Sequence, residues 1–284
     1  GDAEKAIKSL ERSIRTLEGI GNKKELSENR YKLASIYDYV GRLDEAEKEC
    51  REAIRINPNF APAHYNLGVL LKNLKRYEEA EKEFREVIRI NPNFAPAHYS
   101  LGVLLDDLKR YGEAEKEYRK GMKINPNFAQ ARNNLGVLLK NLKRYEEAEK
   151  EYRKAIELKN DLPDKGALVY NNLGVLLRHL KRLEEAEKEF REAIRINPNL
   201  ALAHNNLGAS LDDLKRYEEA EEEYKEAIRI NPGLAEAHDN LGILYSETKR
   251  PEEAKKELGV AKGLFEAQGR EEDVKKAEEL LKSL

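Results

Sequence analysis

The sequence repeats itself with a period of 34 residues, and this regularity constrains the fold more than any other feature. The string LGVLLKNLKRYEEAEKE stands at 67–83 and returns unchanged at 135–151. A near copy, LGVLLDDLKRYGEAEKE, stands between them at 101–117. A period of 34 residues is typical of a solenoid built from helix-turn-helix units. The chain is therefore expected to stack one supersecondary unit many times.

Each repeat contains two amphipathic segments. In the repeat at 61–94, apolar residues follow the i, i+3, i+4, i+7 spacing of a helix face over 67–74 and again over 77–88. We name these segments helix A and helix B. Only a Lys-Arg joint lies between them, so the two helices are expected to pack antiparallel. An Asn-Pro-Asn sequence ends helix B, because proline has no amide to continue the helix and disfavours the α conformation of the residue before it.

A glycine lies inside every helix A from the second repeat onward, where it costs about 0.5–1 kcal/mol relative to alanine. Helix B of the same repeat offers a small residue, such as Ala80 in the repeat of Gly68. This pairing predicts that the two helices approach each other closely at that point. The other pairs are Gly102 with Ala114, Gly136 with Ala148, Gly174 with Ala186, Gly208 with Ala220 and Gly242 with Ala254.

The Leu-Gly pair, the alanine in helix B, the aromatic residue four positions later (Phe84) and the closing proline (Pro92) together resemble the tetratricopeptide repeat. The resemblance covers nearly the whole chain. It implies an all-α fold, a right-handed α-solenoid or superhelix of tandem helix-turn-helix units, in a single domain over 1–284. We expect a partial repeat with an isolated helix B at 1–26, full units at 27–60, 61–94, 95–128, 129–166, 167–200, 201–234 and 235–268, and a capping helix at 269–284.

Two places depart from the period. The chain opens in the middle of a repeat, which suggests a fragment of a longer protein. Four extra residues occur at 159–166, in the sequence KNDLPDKG, where the usual Asn-Pro-Asn is missing. Since four residues are close to one helical turn, we expect a lengthened connection or helix start there, within one domain.

Composition argues against several classes of function. The 52 basic and 54 acidic residues nearly cancel and the pI is about 6.4, whereas a nucleic-acid-binding protein would show a basic stripe. The sequence has no apolar run of the roughly 18 residues that a membrane span needs, so no membrane partner is expected. The single cysteine, Cys50, cannot form an intramolecular disulfide and favours a cytoplasmic location.

No motif for catalysis, for a metal ion or for a cofactor stands out, so we expect a protein that is not an enzyme and needs no cofactor. Four histidines, His64, His98, His204 and His238, recur at one position of their repeats. Equivalent residues of stacked helices lie about 10 Å apart, too far to share one ion. We interpret these histidines as packing residues between repeats, and the Glu and Lys residues of helix B as a solvated face.

The side of helix A that points away from helix B is different. In the tetratricopeptide family this side lines a concave groove that binds peptides, so the resemblance makes its residues the candidate ligand contacts. A row of asparagines resembles arrays of this family with an asparagine-lined groove, since an amide side chain can hold a peptide backbone. The alternative is that these asparagines only tie neighbouring helices together. The candidates are Tyr65, Asn66, Lys72, Tyr99, Asp106, Asp107, Asn133, Asn134, Lys140, Asn171, Asn172, Arg178, Asn205, Asn206, Asp212, Asp213 and Asn240.

The charge near the end of helix A changes sign from repeat to repeat. Stacking would bring Lys72 near Asp106, and Asp107 near Lys140. It would likewise bring Arg178 near Asp212. Such pairs could fix the register of stacking, or they could read the charge of a ligand.

The sequence as a whole favours a protein–protein interaction scaffold that binds an extended peptide segment of a partner in its groove. Two other hypotheses stay open. The chain could be a structural scaffold that self-associates through its repeat ends. It could also be the targeting arm of a larger enzyme.

Overall fold

The computed structural model describes residues 1–162 and 164–284, and over these residues it is helical, with no strand. The helices are α1 (Asp2–Ile20), α2 (Lys23–Tyr39), α3 (Leu43–Ile56), α4 (Ala61–Asn73), α5 (Tyr77–Ile90), α6 (Ala95–Asp107), α7 (Tyr111–Ile124), α8 (Ala129–Asn141), α9 (Tyr145–Glu157), α10 (Ala167–His179), α11 (Leu183–Ile196), α12 (Ala201–Asp213), α13 (Tyr217–Ile230), α14 (Ala235–Glu247), α15 (Pro251–Ala267) and α16 (Glu271–Ser283). The all-α class predicted from the period is confirmed.

The chain divides into two compact units, Gly1–Asn134 and Leu135–Leu284, with the boundary inside α8. In each unit a helix A and the helix B that follows it form a hairpin, and successive hairpins pack side by side. The tandem helix-turn-helix arrangement is therefore confirmed within each unit. The hairpins are α2–α3, α4–α5 and α6–α7 in the first unit, and α10–α11, α12–α13 and α14–α15 in the second.

The turn inside each hairpin depends on one residue in the left-handed conformation. In the α4–α5 hairpin this is Lys75, with φ 60°. The amide of Arg76 then donates to the carbonyl of Leu71 at 2.9 Å, which closes a Schellman motif. The equivalent residue of the α2–α3 hairpin is Gly41, with φ 78°. The other repeats keep a lysine at this position, namely Lys109, Lys143, Lys181, Lys215 and Lys249.

The glycine of helix A faces an aromatic ring of helix B. A Cβ atom added to Gly68 would lie 2.7 Å from Cε1 of Phe84, and one added to Gly174 would lie 2.6 Å from Cε1 of Phe190. The predicted close approach of the two helices is present. Its nearest partner, however, is the aromatic residue and not the alanine, because the ring lies flat in the space that a side chain would fill. Phe84 is fully buried as a result.

Gly174→Ala should therefore destabilise the protein, although alanine is the better helix former by about 1 kcal/mol. The added methyl group has to displace the buried ring of Phe190, and overpacking of a core costs about 1–3 kcal/mol. Gly259→Ala is the matched control, since Gly259 lies in the middle of α15 with nothing within 4 Å of an added Cβ. Chemical denaturation should show a loss for the first variant and a small gain for the second. Equal gains in both would contradict the packing described here.

The lengthened connection predicted at 159–166 is present. It contains a 3₁₀ turn at Lys159–Asp161, and α10 begins after it at Ala167. Pro163, which belongs to the predicted segment, lies outside the described residues. The Asp164 carboxylate accepts hydrogen bonds from the amides of Gly166 at 3.0 Å and Leu168 at 2.7 Å. The extra residues therefore form a capped connection instead of an added turn of helix.

The first helix packs against α2. Its residues Ile7, Ile14 and Leu17 are buried together with Leu26 and Leu33 of α2. Helix α2 begins at Lys23 because the side chain of Asn22 accepts a hydrogen bond from the Glu25 amide at 3.2 Å. The expected repeat boundary at Ser27 consequently falls inside this helix and not at its start.

Candidate binding face of the A helices

The side of each helix A that is turned away from its helix B forms a surface that we call the A face. In α4 it consists of Tyr65, Asn66, Val69 and Lys72, all half-buried, and of the equivalent residues in the other A helices. The apolar position recurs as Val103, Val137, Val175, Ala209 and Ile243. The A face is thus part polar and part apolar, and largely free of the Glu-Lys pairs that cover helix B.

Asparagines on the A face bind to one another in the second unit. The Nδ2 of Asn206 donates to Oδ1 of Asn171 at 2.9 Å, and the Nδ2 of Asn240 donates to Oδ1 of Asn205 at 3.0 Å. Each bond joins one helix A to the next, and the accepting Asn171 and Asn205 are buried. These amides therefore tie neighbouring helices together, which is the alternative to an amide row that is wholly available to a ligand.

The first unit makes the same connection with different residues. The hydroxyl groups of Tyr65 and Ser100 lie 3.1 Å apart, and Asn134 Nδ2 donates to the hydroxyl oxygen of Tyr99 at 3.2 Å. All four bonds, in both units, join residues 35 positions apart. One rule of contact between successive A helices therefore holds in each unit, whichever side chains carry it.

The other amide candidates are engaged or half-buried. Asn66 Nδ2 donates to Ser35 Oγ at 3.0 Å, and Asn133 Nδ2 donates to Asn134 Oδ1 at 3.2 Å. Asn172 is half-buried.

Charged residues on the A face pair between successive helices, but one position away from the pairs expected. Lys72 Nζ lies 3.5 Å from Oδ2 of Asp107, and Arg178 Nε lies 2.8 Å from Oδ2 of Asp213. The predictions that named Asp106 and Asp212 as the partners were wrong. They assumed contact at the sequence period of 34, whereas the stacked helices meet with an offset of 35.

The two acids left over have a different environment. Asp106 and Asp212 are half-buried. Burial, followed by the charge of Asp107, raises the pKa of Asp106. Burial also raises the pKa of Asp212, with further contributions from Glu247 and Asp213. Lys140 is half-buried, and its expected pairing with Asp107 stays a prediction.

The offset can be measured by double-mutant cycles. The pair of Lys72 with Asp107 should give a coupling of about 0.2–1 kcal/mol, as is usual for partly exposed ion pairs. The pair of Lys72 with Asp106 should give a coupling close to zero. Urea unfolding of the single and double alanine variants at low and high salt supplies both values. A larger coupling to Asp106 would contradict the offset.

Two hollows open on the A face. One of about 430 Å³ lies between α10 and α12 and is lined by Val175 and Phe190 at its apolar side and by Arg178, Lys181 and Asn206 at its polar side. The other, of about 260 Å³, is aromatic and contains no charged side chain. Its lining includes Tyr31, Pro62, Tyr65 and Phe94.

Sequence reasoning missed the contribution of Phe94, which lies just before helix A. The ring of Phe94 meets that of Tyr65 edge-on at 5.4 Å, and Phe60 meets Tyr31 in the same way at 5.6 Å. The signal was present in the sequence, because a phenylalanine recurs with the period at this position as Phe60, Phe94 and Phe128.

The B helices present a contrasting surface, on which acidic and basic side chains form ion pairs. Arg110 at the start of α7 reaches back to Glu81 of α5 at 2.6 Å, and Glu81 also pairs with Arg85 at 2.7 Å. The pair with Arg85 lies within one helix at i, i+4 spacing, whereas the pair with Arg110 joins one helix B to the next. Equivalent bridges join Arg76 to Glu47, Arg182 to Glu149, Arg216 to Glu187 and Arg250 to Glu221.

Among residues 1–162 and 164–284, no helix combines the length and the apolar character that crossing a lipid bilayer requires. Within the same residues, no three side chains of the metal-ligating types come together.

The fold and these contacts define a class: all-α proteins of tandem helical hairpins, in which successive A helices of a unit pack against each other. Family models described as tetratricopeptide repeat match residues 27–60, 61–94, 95–128, 127–199, 201–234 and 223–256. The chain belongs to the tetratricopeptide repeat family. Proteins of this family serve as protein–protein interaction scaffolds. No curated protein matches the sequence significantly.

Solved structures show the same fold. PilF of Pseudomonas aeruginosa is 25% identical with a TM-score of 0.64, over 72% of this chain and 91% of PilF. Cut9, in its complex with Hcn1 from the APC/C, is 18% identical with a TM-score of 0.70, over 98% of this chain and 52% of that one. YrrB, described as a protein of this family with an unusual peptide-binding site, is 23% identical with a TM-score of 0.51, over 64% and 91% of the two chains.

Proposed function

We propose that the protein binds an extended segment of a partner protein along its A face. The observation that carries the proposal is the contrast between the two faces. On helix B the charged groups pair with each other and line the hollows there, such as the one of about 490 Å³ on α5, whereas the two hollows of the A face have apolar and aromatic walls. A site with apolar walls and a few fixed polar groups is the usual form of a ligand site.

The polar row limits how such a segment is held. In the second unit Asn206 donates one N–H to Asn171. No group among the described residues donates a hydrogen bond to Oδ1 of Asn206. An amide oxygen in this position can accept a bond from the backbone N–H of a bound peptide. We therefore propose that the row supplies single hydrogen bonds to the backbone, and that the hollows receive side chains.

The two hollows suit different side chains. The hollow of about 260 Å³, between Tyr31 and Phe94, has the size and character for an apolar side chain of the partner. The hollow of about 430 Å³ combines Phe190 with the polar groups of Arg178 and Asn206, and it suits a side chain that is apolar along its length and polar at its end. The description of YrrB as having a peptide-binding site supports the same kind of function for this chain.

The experiment is selection of peptides from a displayed library against the whole chain, followed by titration of the selected peptide. Val175→Gln and Tyr31→Ala alter the two hollows. Each should weaken binding about tenfold or more, which corresponds to about 1.4 kcal/mol, because anchor side chains in pockets carry most of the affinity. Fluorescence anisotropy measures the dissociation constants.

Lys82→Ala is the control, since Lys82 lies exposed on α5 of the opposite face. It should leave the affinity unchanged. Circular dichroism must show that all variants remain folded. A selected peptide that is insensitive to the A-face changes and sensitive to Lys82 would refute the proposal.

We also propose that this function needs no catalysis and is carried out in the cytoplasm. The one cysteine supports that compartment, since Cys50 is buried and is not poised for disulfide exchange. Burial raises the pKa of its thiol to about 12, which keeps the reactive thiolate scarce.

A further inference from the structure

The four recurring histidines each touch three parts of the fold. Nδ1 of His64 in α4 lies 2.5 Å from the carboxylate of Glu83 in α5, and its Nε2 lies 3.0 Å from the carbonyl oxygen of Pro58. Pro58 belongs to the connection that precedes α4. The histidine thus joins the two helices of its own hairpin to the turn that enters it, and the packing role expected from the sequence is confirmed in this form.

The other three histidines repeat the arrangement with nearly the same distances. Each ring is buried, with an exposed fraction between 4% and 7%. The contacts are His98 with Glu117 at 2.6 Å and Pro92 at 3.1 Å, His204 with Glu223 at 2.6 Å and Pro198 at 3.1 Å, and His238 with Glu257 at 2.7 Å and Pro232 at 3.2 Å.

The partners determine the protonation state of these rings. A carbonyl oxygen only accepts hydrogen bonds, and so does an ionised carboxylate. A neutral imidazole carries one N–H and can satisfy only one of the two acceptors, whereas an imidazolium carries two. Since an acceptor faces each nitrogen of His64 at hydrogen-bonding distance, the geometry fits the cation.

Other repeats place a permanent cation at the same position, which supports this assignment independently. Arg30 precedes His64 by one period, and its Nη1 donates to Glu49, the equivalent of Glu83, at 2.7 Å. Arg132 follows His98 by one period, and its Nη2 donates to the carbonyl of Pro126 at 2.9 Å. The position is therefore occupied by a permanent cation in two repeats and by a histidine in four others.

We propose that His64 and His204 are imidazolium clamps, which hold the inter-repeat turns while protonated and release them when they lose a proton. The stronger bond, to the carboxylate, keeps the remaining proton on Nδ1. The lone pair of Nε2 then faces the proline carbonyl at about 3 Å, as in His64 with Pro58 at 3.0 Å. That contact is repulsive and frees the turn.

The charged groups around His64 and His204 favour the protonated form of each ring. His64 is faced by Glu83 and, further away, by Glu86, both from α5. His204 is faced in the same way by Glu223 and Glu226 of α13. Beside His98 and His238 the glutamate has a second cation: Lys120 lies 2.8 Å from Glu117, and Lys256 lies 3.7 Å from Glu257.

The direction of the effect on stability follows from His64 and His204. Burial disfavours the charged form of His64, but the hydrogen bonds to Glu83 and Pro58 outweigh it and raise the pKa. The same balance, with Glu223 and Pro198, raises the pKa of His204. A raised folded pKa gives a stabilisation that is complete below the unfolded value of about 6.5 and is lost as the pH rises through the folded value.

One repeat has neither histidine nor arginine at this position and serves as an internal comparison. Tyr170 occupies the histidine position, and the equivalent glutamate, Glu189, makes no hydrogen bond or ion pair within the described chain. Burial raises the pKa of Glu189, while Arg153 and Lys188 partly oppose the shift. A half-buried glutamate at this position thus has a raised pKa when the cation opposite it is missing.

The test begins with the unaltered protein. Imidazole ¹⁵N NMR over about pH 5 to 9 distinguishes the doubly protonated ring from either neutral tautomer. At about pH 6.5, the ordinary pKa of histidine, His64 and His204 should still be mostly doubly protonated. Neutral rings at these two positions at pH 6 would overturn the proposal, whatever the variants show.

Variants then connect protonation to the fold. In the unaltered protein, the midpoint of thermal unfolding should fall as the pH rises from about 6 to 9, because the clamps deprotonate. His64→Arg with His204→Arg should flatten that slope, since arginine stays charged as it does at Arg30 and Arg132. Tyr170→His should do the reverse and steepen it, by placing a titratable ring opposite Glu189. Identical slopes in all three proteins would refute the proposal.

Discussion

The contact of an aromatic ring with a glycine, present in the hairpins from α4–α5 to α12–α13, is the constraint on which the other features depend. With no side chain at Gly174, the ring of Phe190 lies directly on the backbone of helix A and fixes its distance from helix B. That distance sets which side of helix A is covered and which side remains as the A face. The two faces of a repeat are therefore a consequence of one packing contact, and their different chemistry follows from their different exposure.

Contacts between successive A helices use the same polar groups that a ligand would use. Asn171 accepts a hydrogen bond from Asn206. Within the described chain, Nδ2 of Asn171 and Oδ1 of Asn206 make no side-chain hydrogen bond of their own. Stacking thus leaves part of the hydrogen-bonding capacity of the row for the proposed ligand. The same division holds for charge, since Lys72 pairs with Asp107 while Asp106 stays half-buried with a raised pKa.

Much of the fold was predictable because its causes are local and repeated. The helices, their joints and the glycine positions each have a signature within a single 34-residue unit. The offset of 35 was not predictable, because it depends on how two stacked helices cross, and that angle has no counterpart in the spacing of one repeat. For the same reason the ion pair of Arg110 with Glu81, which joins two B helices, was not predictable. The pair of Glu81 with Arg85 lies on one helix, and its i, i+4 spacing is visible in the sequence. The role of His64 was visible only in outline, since the carbonyl of Pro58 that completes its site has no sequence signal.

The turn inside each hairpin has a consequence for the opening of single repeats. Trypsin-like proteases cleave after lysine or arginine in an extended chain, whereas the left-handed conformation at Lys75 and the hydrogen bond from the Arg76 amide to the Leu71 carbonyl hold this joint in a turn. Cleavage there requires the turn to open first. The lysine-arginine joints thus act as built-in reporters of local unfolding, one for each repeat that contains them. The rate of cutting at each joint records how often that hairpin opens on its own.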